Sequence, residues 1–339
     1  RRRRPSGQMI TELDEAEILS LLKKELRLLA NAVGKDLEIA VGNMPSSDDL
    51  AFTTSDGRTI TIRINTSHDL ITNSSPDKFY RYRMEKAILQ HQVAHIWFET
   101  DKAMESVSKL QRILPDIKDY VQDVVNLVED YRVDSIWQAL LPGSKKNFIL
   151  VYNSVIDHTS GKIYKPDFLV ALLAARLSLL GADTSAIEMA FDEKLTAACE
   201  QFKKELKTAC CSDWRSTYLV AKRILKLLDE AQTENNSIGS TKSLEYAMRD
   251  QHSKISMQDA SNIQQIEKML ELLDKTETEE KLLQDSKNIM EDRIHNVSNE
   301  IREAILDGFR SDSEIKGGKK GISSSSRILE THKLNKIGY

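Results

Sequence analysis

Two histidines four residues apart, His91 and His95, are the residues whose type and spacing most clearly offer chemistry. On a helix, positions i and i+4 lie on one face about one turn apart. Two imidazoles so placed can reach a single Zn2+, whose nitrogen ligands sit at ~2.0–2.1 Å. In the H-E-x-x-H arrangement a glutamate follows the first histidine and takes a proton from water as that water attacks a carbonyl. Gln92 occupies that position here. Its amide has the shape of a carboxylate but accepts no proton at neutral pH. Loss of a general base costs about 10²–10⁴ in rate. The segment therefore predicts a metal site whose catalytic base has been replaced.

A zinc centre of this kind needs a third protein ligand and leaves its fourth position to water. The segment downstream of Pro115 carries Asp123, Asn126, Glu129, Asp130, Arg132 and Asp134. Val124, Val125, Leu127, Val128, Val133, Ile136 and Trp137 make most of its circumference apolar. Some of its acids must then be buried, and buried carboxylates require a metal or a cation. Glu129 is the expected third ligand, with Asp130 its main rival and Asp123 behind. Around the metal, Asn126, Asp130, Arg132 and Asp134 are the expected supports. Asp130 or Asp134 would accept an imidazole N–H, and Arg132 would hold a ligand carboxylate. Tyr131, Tyr152 and His158 are candidates to donate to a developing oxyanion, and the sequence does not choose among them. The plain alternative is two histidines packed in a core, beside a solvated acidic face where Arg132 pairs with Glu129.

These side chains need elements to position them. Residues 78–99 form a predicted helix of five to six turns that carries both histidines. A second helix follows Pro115 and runs to about Leu141, where Pro142-Gly143 ends it. Ahead of both, residues 12–33 are amphipathic, with Thr11 a candidate cap and Gly34 a stop. Leu37 to Val41 is a predicted strand. Two more, Leu50 to Thr54 and Thr59 to Asn65, flank the turn Ser55-Asp56-Gly57-Arg58. Ile60, Ile62 and Ile64 alternate with polar residues, as in a half-buried strand. Helix resumes over 166–181 and 184–233, with breaks at Gly181 and around Cys211 to Asp213. The expected fold is α+β and mainly helical. A small β-sheet, the histidine helix and a second ligand helix build a zincin-like domain over residues 9–233.

The remainder divides by composition. Residues 1–8, with Arg1 to Arg4, are a basic flexible arm. Residues 234–257 dissolve into Asn, Ser, Thr, Gly and charge, as a linker does. Over 258–308 apolar residues step by three and four (Ile263, Ile266, Leu270, Leu273, then Leu283, Met290, Ile294, Val297, Ile301), which predicts a helical coiled-coil extension. Residues 309–339 are Gly-, Lys- and Ser-rich and expected to be a flexible tail. The formal charge of −4 gives no drive toward nucleic acid or an anionic membrane. No run of about 18 apolar residues suggests a membrane span. Cys199, Cys210 and Cys211 are odd in number and crowded, which points to a reducing, cytoplasmic setting rather than a disulfide framework.

Three segments in order resemble a known group. His91-Gln92-Val93-Ala94-His95-Ile96 is similar to H-E-x-x-H-I. Asn126-Leu127-Val128-Glu129-Asp130-Tyr131-Arg132-Val133-Asp134 is similar to N-x-x-E-D-x-R-[IV]-[ED]. Leu141-Pro142-Gly143 resembles Y-P-G. Together, over residues 58–150, they resemble the CobT-like peptidases of bacteria, archaea and large phages. The resemblance implies a zincin fold, Zn2+, a protein substrate and a cytoplasmic setting (the host cytoplasm if phage-encoded). It also implies a C-terminal von Willebrand factor A domain and, in some members, an AAA+ ATPase partner. No D-x-S-x-S metal-adhesion motif occurs in this chain, which weakens a chelatase-type role. Gln92 departs from the pattern while the ligands stand. A deliberate Glu-to-Gln silencing of a zinc peptidase explains that best, and a natural pseudoenzyme comes second. The competing function is a zincin-like scaffold that binds a protein partner, or a second copy, through the helical extension.

Overall fold

The computed structural model describes residues 15–33, 36–42, 50–55, 59–72, 78–160, 166–233, 266, 268, 270, 271 and 279–315. The predicted basic arm, the linker and residues 316–339 of the tail lie outside these, as do Thr11 and Gly34. Helix α1 spans Glu15–Val33 and is followed by three strands, β1 Asp36–Gly42, β2 Ala51–Ser55 and β3 Thr59–Asn65. Then come α2 Asp69–Thr72, α3 Lys78–Trp97, α4 Thr100–Met104, α5 Ser106–Ile113 and α6 Lys118–Leu140. They are followed by α7 Lys145–Ser160, α8 Phe168–Leu179, α9 Ser185–Glu188, α10 Glu193–Ala209 and α11 Trp214–Thr233. The last, α12, runs Glu279–Ile315. The architecture is α+β and mainly helical, and among the described residues no helix is long and apolar enough to cross a membrane.

The sheet has the order β1-β3-β2. β2 and β3 form the expected antiparallel hairpin, with Thr53 opposite Ile62 and Ala51 opposite Ile64. β1 joins the other side of β3 in parallel. On β3 the isoleucines 60, 62 and 64 are buried while Arg63 between them is exposed. One face of the sheet thus covers the core, the two-residue period deciding which side chains go in. β2 is left as an edge strand among the described residues.

The core centres on α3. Every residue of this helix from Ala87 to Trp97 is buried. Its hydrophobic pattern has no single stripe because neighbours cover all its sides. β2 and β3 pack on it, as do α1, α6 and α7. α6 is similarly enclosed, by α3, α5, α8, α10 and α11. A short 3-10 turn, Pro115–Ile117, leads into α6, and a second, Pro142–Ser144, follows it. α8 starts on Asp167, whose Oδ1 accepts from the Val170 N–H at 2.9 Å. It ends before Gly181, whose φ of +95° is a conformation that favours glycine.

The predicted coiled-coil region differs from expectation in two ways. Its helix continues past Gly308 to Ile315. It also lies against the rest of the protein, contacting α1, α11 and α6. Leu282, Leu283, Met290 and Val297 are buried, as are Ile266 and Leu270 before it. The apolar three-four rhythm that suggests a partner helix is here answered by the chain's own helices.

Candidate metal centre

α3 presents His91 and His95 on one face, both buried. The Nε2 atoms of the two rings lie 3.0 Å apart, with the ring planes nearly perpendicular. The other ring nitrogen of each histidine is spoken for. His91 Nδ1 is 2.6 Å from Oδ1 of Asp134, a carboxylate that can only accept. His95 Nδ1 is 2.9 Å from the Thr100 hydroxyl. That hydroxyl donates its own proton to Glu129 Oε1 at 2.5 Å, so it accepts from the imidazole. Both Nδ1 atoms therefore carry hydrogens, which leaves the two Nε2 atoms facing each other. At 3.0 Å in a buried site they can share a proton or hold a metal ion between them.

The acid that joins them is Asp130. Its Oδ1 is 3.4 Å from His95 Nε2. Among the described residues His91, His95 and Asp130 form the group whose ligand atoms lie within 4.8 Å of one another. Glu129, the expected third ligand, is placed differently. Its Oε1 accepts from Thr100 and from Arg132 Nη2, each at 2.5 Å. Its Oε2 accepts from Arg132 Nε at 2.8 Å and from Thr217 at 2.6 Å. A carboxylate has about four lone-pair sites, and these four donors fill them. Burial pushes the Glu129 carboxyl up, but Arg132, Thr100 and Thr217 outweigh that and hold it below the usual range. Glu129 braces the site and has no lone pair left for a metal. Asp123 also lies outside the cluster. Asn126, one turn before Asp130, is half-buried with no hydrogen-bond partner at its Oδ1.

Of the two expected imidazole acceptors, Asp130 and Asp134, it is Asp134 that meets His91 Nδ1. Its Oδ2 takes hydrogen bonds from the Tyr152 hydroxyl at 2.7 Å and from Arg176 Nη2 at 3.1 Å. Burial raises its carboxyl, while His91, Arg176 and Tyr152 hold it below its ordinary value. Arg132 holds Glu129 as expected of a carboxylate clamp, and also donates to the carbonyls of Ser212 and Phe98 at 3.1 and 2.7 Å.

The oxyanion candidates fare differently. Tyr152, committed to Asp134, has no proton left to donate elsewhere. Burial, then Asp134, pushes its phenol well above the usual value. Tyr131 is buried and its hydroxyl meets Cys210, in the turn between α10 and α11. His158 lies in the last turn of α7, six residues beyond Tyr152, outside the three-residue cluster.

Four participants were not anticipated. Arg176 of α8 bridges Asp130 Oδ2 at 2.9 Å and Asp134 Oδ2 at 3.1 Å. Its signal was a single arginine inside the apolar run Phe168–Leu179, since a buried guanidinium calls for anions. Thr100 and Thr217 carry no comparable signal, because a threonine near a helix start is common. Thr53 of β2 is the fourth contact, donating to Gln92 Oε1 at 2.7 Å.

The donor set fits a zinc-type ion. Tetrahedral nitrogen ligands at ~2.1 Å stand roughly 3.4 Å apart, close to the 3.0 Å between the two Nε2 atoms. Glu129, Asp130 and Asp134 are all buried, and among the described residues Arg132 and Arg176 are the arginines that meet them. A cation at the imidazoles would add to that neutralisation. Comparison of the chain with family models, with curated proteins and with solved structures finds no match.

Proposed function

We propose that the protein is a zincin-like metallopeptidase domain in which His91, His95 and Asp130 hold Zn2+, silenced at Gln92. The observation that carries this reading is the pair of opposed Nε2 atoms, each turned inward by its Nδ1 hydrogen bond. A bound zinc would supply Lewis acidity and a nucleophilic water at neutral pH. The chain's own residues do the rest. Asp134 and Thr100 fix the imidazole tautomers. Arg176 holds Asp130 and Asp134 in register. Thr53 of β2 holds the Gln92 side chain through its Oε1.

Gln92 is 1% exposed, and its Nε2 has no hydrogen-bond partner. A buried polar atom left without a partner beside a reactive cluster marks a position shaped for a ligand. With glutamate there, one carboxylate oxygen would still accept from Thr53 and the other could receive a proton. The amide can do only the first. The test is Gln92→Glu with zinc loaded, assayed against unfolded protein substrates. The expected result is cleavage that a chelator abolishes, at least about 10²-fold above the parent chain. A zinc-loaded variant with no cleavage would favour the second reading, a non-catalytic scaffold that keeps its metal, for which Gln92 itself is the supporting observation. A wild-type chain that binds no zinc would remove both.

A further inference from the structure

The turn joining α10 to α11 carries Cys210 and Cys211, whose sulfurs lie 3.8 Å apart and are both half-buried. Side chains of adjacent residues ordinarily point apart. Here Cys211 has a φ of +50°, a left-handed conformation that a cysteine rarely adopts, and the bend brings both sulfurs to one side. The surroundings differ from those of Cys199, which is buried and whose thiol burial pushes up to about 11. Contact with the Cys211 sulfur draws Cys210 down to about 6, with burial opposing and the Tyr131 hydroxyl, Ser135 and Lys287 adding to the fall. The Cys211 backbone N–H donates to Ser135 Oγ at 3.1 Å, anchoring the turn to α6. Neither thiol takes part in the metal cluster.

We propose that Cys210 and Cys211 form a vicinal dithiol that hydrogen peroxide oxidises to a disulfide and a small-molecule thiol reduces again. The Cys210 thiolate attacks one peroxide oxygen, the O–O bond breaks, and the sulfur leaves as a sulfenic acid while the other oxygen departs as water. The Cys211 sulfur then attacks that sulfenic sulfur, losing its proton and releasing a second water. Two thiols lose two electrons and two protons, and one peroxide becomes two waters. The product is strained. Neighbouring Cα atoms are 3.8 Å apart across a trans peptide, short of the 4.4–6.8 Å usual for disulfides. Strain of that kind makes the bond readily reduced, so the pair cycles rather than locks. The turn is functionally placed, because the next carbonyl, that of Ser212, accepts from Arg132.

The test uses the full reduced chain and hydrogen peroxide, followed by maleimide capture and peptide mapping. The expected product has lost two hydrogens within one peptide containing Cys210 and Cys211, carries maleimide on Cys199, and returns to three free thiols with dithiothreitol. Before oxidation, Cys210 should alkylate at least about 100-fold faster than Cys199. In Cys211→Ser, which cannot close the ring, Cys210 should proceed to a sulfinic acid that dithiothreitol does not reverse. Disulfide-linked dimers, oxidation of Cys199 as fast as the pair, or maleimide on both vicinal cysteines after peroxide would each overturn the proposal. The outcome is independent of whether zinc binds.

Discussion

Glu129 and Asp130 are neighbours of like charge, both buried, with opposite assignments. Glu129 faces four donors and Asp130 faces the imidazoles. Adjacent helical positions are rotated about 100° from each other, so both cannot point at the same ion. This separates their substitutions. Asp130→Asn should lose zinc binding by about 100-fold or more while the apo chain still folds, since the amide oxygen is a far poorer ligand. Glu129→Gln should keep zinc in stoichiometric amount yet destabilise the fold by roughly 3–5 kcal/mol, the cost of leaving Arg132 buried without its anion. Elemental analysis and urea denaturation of the two variants separate the cases. Equal zinc loss in both would return Glu129 to the ligand set.

At the scale of elements, the histidine helix, the acidic helix and the hairpin were legible in the sequence. α3 and α6 have long patterns, α6 bounded by Pro115 and Pro142, and Ile60, Ile62 and Ile64 declare their period. The pairing of His91 with His95 followed from helical spacing, and Arg132 as a carboxylate clamp from residue type, while Asp134 stood level with Asp130 as imidazole acceptor. The choice between Glu129 and Asp130 did not follow from the sequence, because it depends on Thr100 and Thr217, which arrive from the starts of α4 and α11. Nor was the seat of the loop after α3 legible. Glu99 holds a φ of +60°, a strained conformation for this residue. Arg293 of α12 reaches it, donating to Glu99 Oε2 and to the Trp97 carbonyl at 2.7 Å each. That loop delivers Thr100 to His95. Burial raises the Glu99 carboxyl, but Lys102 and Arg293 outweigh this and hold it below its ordinary value. A depressed folded value contributes stability above the unfolded one, about 4.3, and loses it as pH falls through the folded value. Glu99→Gln should therefore be less stable than the parent at pH 7, modestly because the pair is partly solvated. The gap should shrink from pH 7 to an acid pH below the folded value. Urea denaturation at both pH values measures it, and a gap that persists in acid would mean that the carboxylate charge is not what matters there.

At the scale of the whole molecule, the question is whether α12 is an appendage or part of the body. An appendage would expose its apolar stripe for a partner. Here Leu282, Leu283, Met290 and Val297 are buried within the chain. Ser286 Oγ also donates to Asp213 Oδ1 at 2.7 Å and accepts from the Asp213 N–H at 2.9 Å, at the entrance to α11. Each large apolar side chain buried this way stabilises by roughly 1.5–3 kcal/mol, so the docked helix is comparable in worth to the net stability of a typical domain. Ending the chain at residue 238 should then do more than remove a handle for partners. It should uncover the faces of α1 and α11, lower the urea midpoint and drive self-association, visible by sedimentation velocity. It should also loosen the loop that Arg293 holds and weaken zinc by about tenfold, as the loss of an outer support does. A truncated chain that stays monomeric, equally stable and equally tight for zinc would mean that α12 is a separable module, and the scaffold reading would then gain the free apolar surface it needs.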